Sequence, residues 1–253
     1  MGKSTFNRKE TKYQLDASQL RAVRAAVAAQ LPQAEYGTGR VSSIYLDTAS
    51  RSVIARSLEK PLYKEKLRVR WYGASRLDDA EAAFVELKKK FKGIVYKRRL
   101  SMTPAEAQAF LEGASCMDLC AQQVVAAAGA SPYQRYQIAH ELDLACARAG
   151  ALRPSVLISC VRTSFGSDDE GALRITFDER LVAHDLFTQA ESLPLMTSGC
   201  AIMEVKCLGA YPSWLIDALN RVKAYPSSFS KYGTFYEASR TRRLAPAKEA
   251  AHA

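Results

Sequence analysis

Histidine is scarce in this chain: its 253 residues hold three, His140, His184 and His252. That leaves little material for a histidine-based nucleophile triad, and His140 lies in the helix-prone run IAHELDLA, where a structural role is expected. The six cysteines include no CxxC pair, and the two nearest, Cys116 and Cys120, stand four residues apart on an expected helix. With so few histidines beside them, a zinc site is excluded, and the thiols read as reduced and mostly buried. No apolar run approaches the roughly eighteen residues that would cross a bilayer. The opening MGKSTFNRKETKY has no apolar stretch of the secretory kind, and Phe6 stands where a myristoylation pattern wants serine or threonine. These absences predict a cytoplasmic, soluble chain. Neither a GxxxxGK[ST] loop nor a GxGxxG turn is present, so the common phosphate-cradling loops are excluded as well.

The apolar content of 48% and aromatic content of 9% are ample for a buried core. The informative number is charge: 36 Lys and Arg against 26 Asp and Glu, a net +10. The tail from Arg240 to Ala253 holds four basic residues and one acidic, so seven of the ten excess charges stay in the body. A positive potential of this size favours a polyanionic partner, whether nucleic acid, an anionic surface or a phosphate-rich small molecule.

Periodicity predicts strands over 8–15, 40–48, 64–73, 83–91 and 93–100, with a helix over 17–30 that Pro32 ends. Thr103-Pro104-Ala105-Glu106 is a capping box with proline at the first helical position, and helix-prone sequence then fills most of the chain to 148. Strand patterns return over 155–165, 171–181 and 200–208, followed by a helix over 212–223. Two strand-rich halves around a helical insert predict one antiparallel α+β domain over residues 1–240. Residues 241–253 are expected to form a basic, disordered tail.

Residues i and i+2 of a strand point the same way, and that rule sorts the charges consistently. Arg8, Glu10 and Lys12 share a face, as do Arg68 and Arg70, then Glu86, Lys88 and Lys90, then Lys97 and Arg99. Arg162 and Ser164 form another set, Arg174, Thr176 and Asp178 another, and Glu204 with Lys206 the last. Any one such strand is ordinary, with one face in the core and one in water. Six or seven strands whose polar faces are dominated by cations are not, because facing like charges destabilise a sheet unless an anion neutralises them. Closing such a sheet would place the cations inside a basic channel and leave an apolar outer face for helices to cover. Aromatics such as Tyr45, Trp71, Tyr72 and Tyr96 are available to an RNA-binding sheet, but no run of that type appears, so no specific nucleic-acid partner is expected.

The ordered segments RKETKY, SIYLDT, KLRVRWYG, FVELKKK, VYKRR, CVRTSF, ALRITFD, IMEVK and SSFSKYG run from residue 8 to 233. In that order they resemble the VTC domain, the polyphosphate polymerase domain of the triphosphate tunnel metalloenzyme superfamily. The resemblance implies an eight-stranded antiparallel β-barrel tunnel with flanking helices. It assigns phosphate contacts to Lys12, Arg68, Arg70, Lys88, Lys97, Arg162, Arg174 and Lys231, with Arg68, Arg70, Lys88, Arg162 and Arg174 gripping the reacting phosphates. Glu204 takes the place of a metal-ligand glutamate, with Glu10 and Glu86 as further metal or network candidates, and the implied cofactor is Mn2+ or Mg2+. Two positions depart from the pattern: Ser228 stands where a second lysine is expected, and Arg8 replaces a glutamate of the ExExK run found in the hydrolase branch. The second departure points away from simple triphosphate hydrolysis.

The resemblance therefore implies transfer of the γ-phosphate of ATP onto a growing inorganic polyphosphate chain. Such transfer depends on positioning and electrostatics and needs no protein nucleophile, which suits the missing His and Cys constellations. Two alternatives stay open at this point: a metal-dependent triphosphate or nucleoside triphosphate hydrolase, and a non-catalytic polyphosphate-binding module.

Overall fold

A computed structural model describes residues 9–92, 94–122, 131–166 and 173–244. The chain runs β1 (Lys9–Leu15), α1 (Ala17–Gln30), β2 (Gln33–Asp47), α2 (Ser52–Leu58), β3 (Tyr63–Tyr72), β4 (Ala83–Phe91) and β5 (Ile94–Met102). It continues through α3 (Pro104–Leu111), α4 (Cys116–Gln122), α5 (Pro132–Ala149), β6 (Arg153–Gly166) and β7 (Arg174–Asp185). The last elements are β8 (Leu193–Pro194), β9 (Ala201–Cys207), α6 (Ser213–Arg221), β10 (Pro226–Ser227) and α7 (Lys231–Leu244).

Helix starts follow local chemistry. Asp16 caps α1 and receives the Gln19 side chain in return, Thr103 and Glu106 do the same for α3, and Ser131 and Gln134 for α5. Each box satisfies two backbone donors that the helix itself leaves unpaired.

All strand pairs are antiparallel, in the order β10-β1-β9-β7-β6-β2-β3-β4-β5, with β8 beside β7. The expected eight-stranded closed barrel is corrected here. The sheet has ten strands, eight of them seven residues or longer, and its ladder ends at β10 and β5 without a pair that joins those ends among the described residues. The reason is local: β1 already has β9 on one edge and β10 on the other. The ends nevertheless face each other, because the Lys88 ammonium of β4 lies 3.9 Å from the Glu10 carboxylate of β1.

One face of each half packs under helices. Leu67, Val69, Trp71, Val85, Leu87 and Leu100 lie against α3–α5, while Tyr13, Ile175, Phe177, Met203 and Val205 lie with α1 and α6. A third cluster, with Tyr45, Val156, Ile158 and Cys160, sits on the other, concave face and packs against Ile54 of α2 and Tyr232 and Phe235 of α7.

Helix α7 has no counterpart in the sequence reading, and it moves the expected boundary of the tail: the helix runs through residue 240 to Leu244, while 245–253 lie outside the described residues. Arg8 lies outside them too. The helix is anchored from below. Tyr232 Oη donates to Asp47 Oδ2 at 2.8 Å, and the same carboxylate, buried at the end of β2, accepts from the backbone of Val53 and Ile54. Replacing Tyr232 with phenylalanine leaves Asp47 short of a donor in a dry site. The expected cost is about 1–3 kcal/mol, read as a lower urea midpoint with an unchanged slope.

Candidate active site on the concave face

The inward sides of β3, β4 and β5 form cross-strand rows. Lys66, Lys88 and Lys97 face one another in register; the next row is Tyr45, Arg68, Glu86 and Arg99, and the next Ser43, Arg70, Phe84 and Ser101. In the other half, Glu10, Lys206 and Arg174 form one row, Lys12, Glu204, Thr176 and Ser164 a second, and Arg162 opposes Asp178. The strand registers thus bring seven of the eight expected phosphate-binding cations around one concavity, and Lys231, at the start of α7, reaches the same space through Asp178.

Two buried carboxylates organise these cations. Glu86 is 1% exposed and takes Arg68 through Nε and Nη2 at 2.8 and 2.6 Å, Lys97 at 2.6 Å and Arg99 at 3.2 Å. Burial alone would push its carboxyl up; Arg68, Arg70 and Lys97 overcome that and hold it well below the usual carboxylate range. Asp178, 2% exposed, receives Arg162 in a two-pronged pair at 2.6 and 2.7 Å and Lys231 at 2.6 Å. Burial opposes its charge as well, and Lys231 and Arg162 drive the carboxyl down. Arg70 differs. It is 7% exposed, donates to Ser43 Oγ at 3.0 Å, and among the described residues has no carboxylate within ion-pair distance. Burial first, and then its neighbour Arg68, lower its pKa, so the cation is held at a disadvantage that a bound anion would relieve.

The segment before α7 closes over this surface. Lys12 Nζ donates to the Phe229 carbonyl at 3.2 Å and Lys66 Nζ to Ser230 Oγ at 2.9 Å, while Lys231 crosses to Asp178. Three strands therefore hold one short stretch of chain.

Lys66, Tyr45 and Asp178 belong to the site without having been singled out as contacts from sequence. Lys66 is brought down to about 8, chiefly by burial and then by Lys64, Lys88 and Lys12, with Tyr45 acting the other way. Tyr45 accepts from Arg68 Nη1 at 3.1 Å; burial would raise its phenol, but Arg68, Arg70 and Lys231 bring it down to about 7. A lysine that titrates near 8 removes one cation from the site as pH rises. We expect kcat/KM for an anionic substrate to fall through about pH 8, and Lys66→Arg, which stays charged, to move that fall to higher pH.

The three expected metal ligands are not gathered as a set. Glu86 is enclosed by cations of β3 and β5, whereas Glu10 and Glu204 lie a diagonal apart on β1 and β9. No group of three Asp, Glu, His or Cys placed to hold a metal ion occurs among the described residues. Glu204 pairs with Lys206 at 2.9 Å, and Glu10 lies 3.7 Å from Lys12. Burial raises the Glu204 carboxyl, but Lys206, Lys12 and Arg162 bring it down to about 2, so it stays an anion at any physiological pH. Magnesium-type ions commonly take only one or two protein carboxylates and fill their remaining positions with water and substrate phosphate, a demand that Glu204 and Glu10 fit and Glu86 does not.

No helix among the described residues is long and apolar enough to cross a membrane. Comparison with known proteins gives three findings. The vacuolar transporter chaperone complex subunit 4 of Trypanosoma brucei brucei is 24% identical over 273 aligned residues, which cover 92% of this chain and 34% of that protein. The chain thus spans about a third of the length of this relative. A crystal structure from Vibrio parahaemolyticus, provisionally named an adenylate cyclase, aligns with 90% of this chain and 97% of its own at 11% identity and a TM-score of 0.48. The VTC domain profile matches residues 7–239, nearly the whole of the chain, which belongs to the VTC domain family, within the triphosphate tunnel metalloenzyme superfamily.

Proposed function

We propose that this domain is a polyphosphate polymerase-type phosphotransferase that moves the γ-phosphate of ATP onto the end of an inorganic polyphosphate chain. The observation that carries the reading is Arg70, a buried guanidinium with no carboxylate within ion-pair distance among the described residues, set beside Arg68 on the face that also carries the row of Lys66, Lys88 and Lys97. Evolution of such a cluster is costly unless an anion is the normal occupant.

In this reading Arg68, Arg70, Lys88, Arg162 and Arg174 grip the triphosphate oxygens, while Lys12, Lys97 and Lys231 extend the same positive field along the chain. The terminal oxygen of the polyphosphate forms a bond to the γ-phosphorus as the bond from that phosphorus to the β-bridging oxygen breaks, and ADP leaves with the electron pair. The attacking oxygen is already anionic near neutral pH, so no general base is needed. The fixed guanidinium groups stabilise charge as it shifts to the departing diphosphate, without reorganising at the moment of reaction. Glu204 and Glu10 would hold the divalent ion, Mn2+ or Mg2+, whose contribution when bound is to neutralise phosphate oxygens.

The test is incubation of the purified protein with ATP and Mn2+, with and without a short polyphosphate primer, resolving ADP, free phosphate and chain length. ADP with lengthening chains, lost in Glu204→Gln, supports the polymerase. ADP with equal free phosphate and no chains assigns water as the acceptor and makes the domain a hydrolase. Binding of polyphosphate without turnover makes it a binding module.

A further inference from the structure

The concave face is not uniform along its length. At one end, the row of Lys66, Lys88 and Lys97 is purely cationic. At the other, past Arg70, the same face turns aromatic: Phe84 lies opposite Arg70, and Tyr72 follows two residues on. Tyr72 and Phe84 meet edge to face with ring centroids 5.8 Å apart. The Arg99 guanidinium lies over the Phe84 ring, 3.5 Å from its centroid, and its Nη2 donates to Tyr72 Oη at 3.1 Å. Its Nε faces Glu86 at 3.2 Å. A guanidinium held at these three points has a fixed plane, with one face against Phe84 and the side chain still 38% exposed. Tyr72 is 41% exposed, at the last position of β3, where Gly73 turns the chain away at φ 78°.

Nothing in phosphate binding calls for this arrangement, since an inorganic chain offers no flat face. We propose that Tyr72, Phe84 and Arg99 form a shelf on which the base of the nucleoside triphosphate stacks, an inference that rests on the phosphate-binding reading of the adjoining Arg70 and Arg68. Arginine planes and tyrosine rings are the usual platforms for bases, and they accept any base because every base has a π-face. The shelf therefore separates nucleotides from inorganic phosphates and not one base from another. Room is available beside it: Gly39 lies two residues beyond Val41, the partner of Tyr72, and a Cβ added there would meet nothing within 4 Å. From Tyr72 to Arg68 the strand advances about 13 Å at its usual rise. A nucleotide with its base on the shelf runs its phosphates over Arg70 toward Arg68. The shelf also gives the channel a direction, with the nucleotide at the Tyr72 end and the inorganic chain along the lysine row.

The experiment measures binding of ATP and of inorganic tripolyphosphate by calorimetry to the wild-type chain, to Tyr72→Ala and to Arg99→Lys. The lysine keeps the charge beside Glu86 but loses the plane. Each substitution is expected to weaken ATP binding about tenfold and to leave tripolyphosphate within about twofold. Equal weakening of both ligands would reduce the shelf to one more piece of positive field and overturn the proposal, as would no change in either. A wild-type chain that binds neither ligand would overturn the phosphate reading itself, and a wild-type chain that binds tripolyphosphate but not ATP would overturn the shelf alone.

Discussion

Arg70→Ala is expected to lower phosphoryl transfer by about 10²–10³-fold, the usual loss when one preorganised stabiliser of developing negative charge is removed. The same substitution should leave the ligand-free protein no less stable, and more stable if relief of repulsion exceeds the lost packing. Arg70 is buried beside Arg68, has the hydroxyls of Ser43 and Tyr72 as its hydrogen-bond partners, and is desolvated without an ion pair of its own among the described residues. Turnover under saturating ATP and primer, set beside the melting temperature of the free protein, reads both halves of this split. Loss of activity with equal loss of stability would make Arg70 a structural residue. Unchanged activity would remove it from the site.

Asp178→Asn is expected to act the opposite way, through stability first. The carboxylate neutralises Arg162 and Lys231 in a nearly dry position, and its removal leaves both cations without their partner. Breaking a buried pair in this manner costs about 3–5 kcal/mol, which for a chain of this size lowers the melting temperature by on the order of 10 °C. An added polyanion should return more of that stability to the variant than to the wild type, because phosphate oxygens supply the charge that the carboxylate provided. Acid should reproduce the effect in the parent protein. Asp178 and Glu86 both have folded-state pKa values below those of the unfolded chain. Their contribution is complete above about pH 5 and is lost as pH falls through the ordinary carboxylate range toward the depressed folded values. Unfolding free energy measured between pH 7 and 3 should therefore decline, and Asp178→Asn should flatten that decline.

Much of this site was legible because a strand has a strict period of two. Arg68 and Arg70, Glu86 and Lys88, or Lys97 and Arg99 must share faces, and the registers place those faces side by side. The capping box at Thr103 likewise fixed a helix start, since the signal lies within four residues. Closure of the sheet was another matter. It depends on what each terminal edge meets, and β10, a two-residue strand from 213 residues downstream of Tyr13 in its ladder partner β1, carries no periodic signal. Helix α7 escaped for a similar reason: KYGTFYEASR has a glycine in its first turn and a short aromatic stripe of Tyr232, Phe235 and Tyr236 followed by polar and charged residues, and the helix is held by Tyr232 on Asp47 and by Lys231 on Asp178. Those partners are distant in sequence. The same applies to Asp178 as organiser of two cations, because the alternation rule gives its face and says nothing of which cation reaches it. Lys66 was hidden in plain view at the start of KLRVRWYG, on the same face as Arg68 and Arg70, and extending the i, i+2 rule by one step finds it.

A phosphate chain is expected to occupy the concavity between the two halves of the sheet. A crystal structure of the protein with a short inorganic polyphosphate tests it most directly. Phosphate groups are expected in contact with Arg68, Arg70, Lys88 and Arg162, running from the Arg70 row toward Lys66. Phosphate bound only at the outer surface, with the Glu86 and Asp178 clusters untouched and the concavity empty, would contradict it.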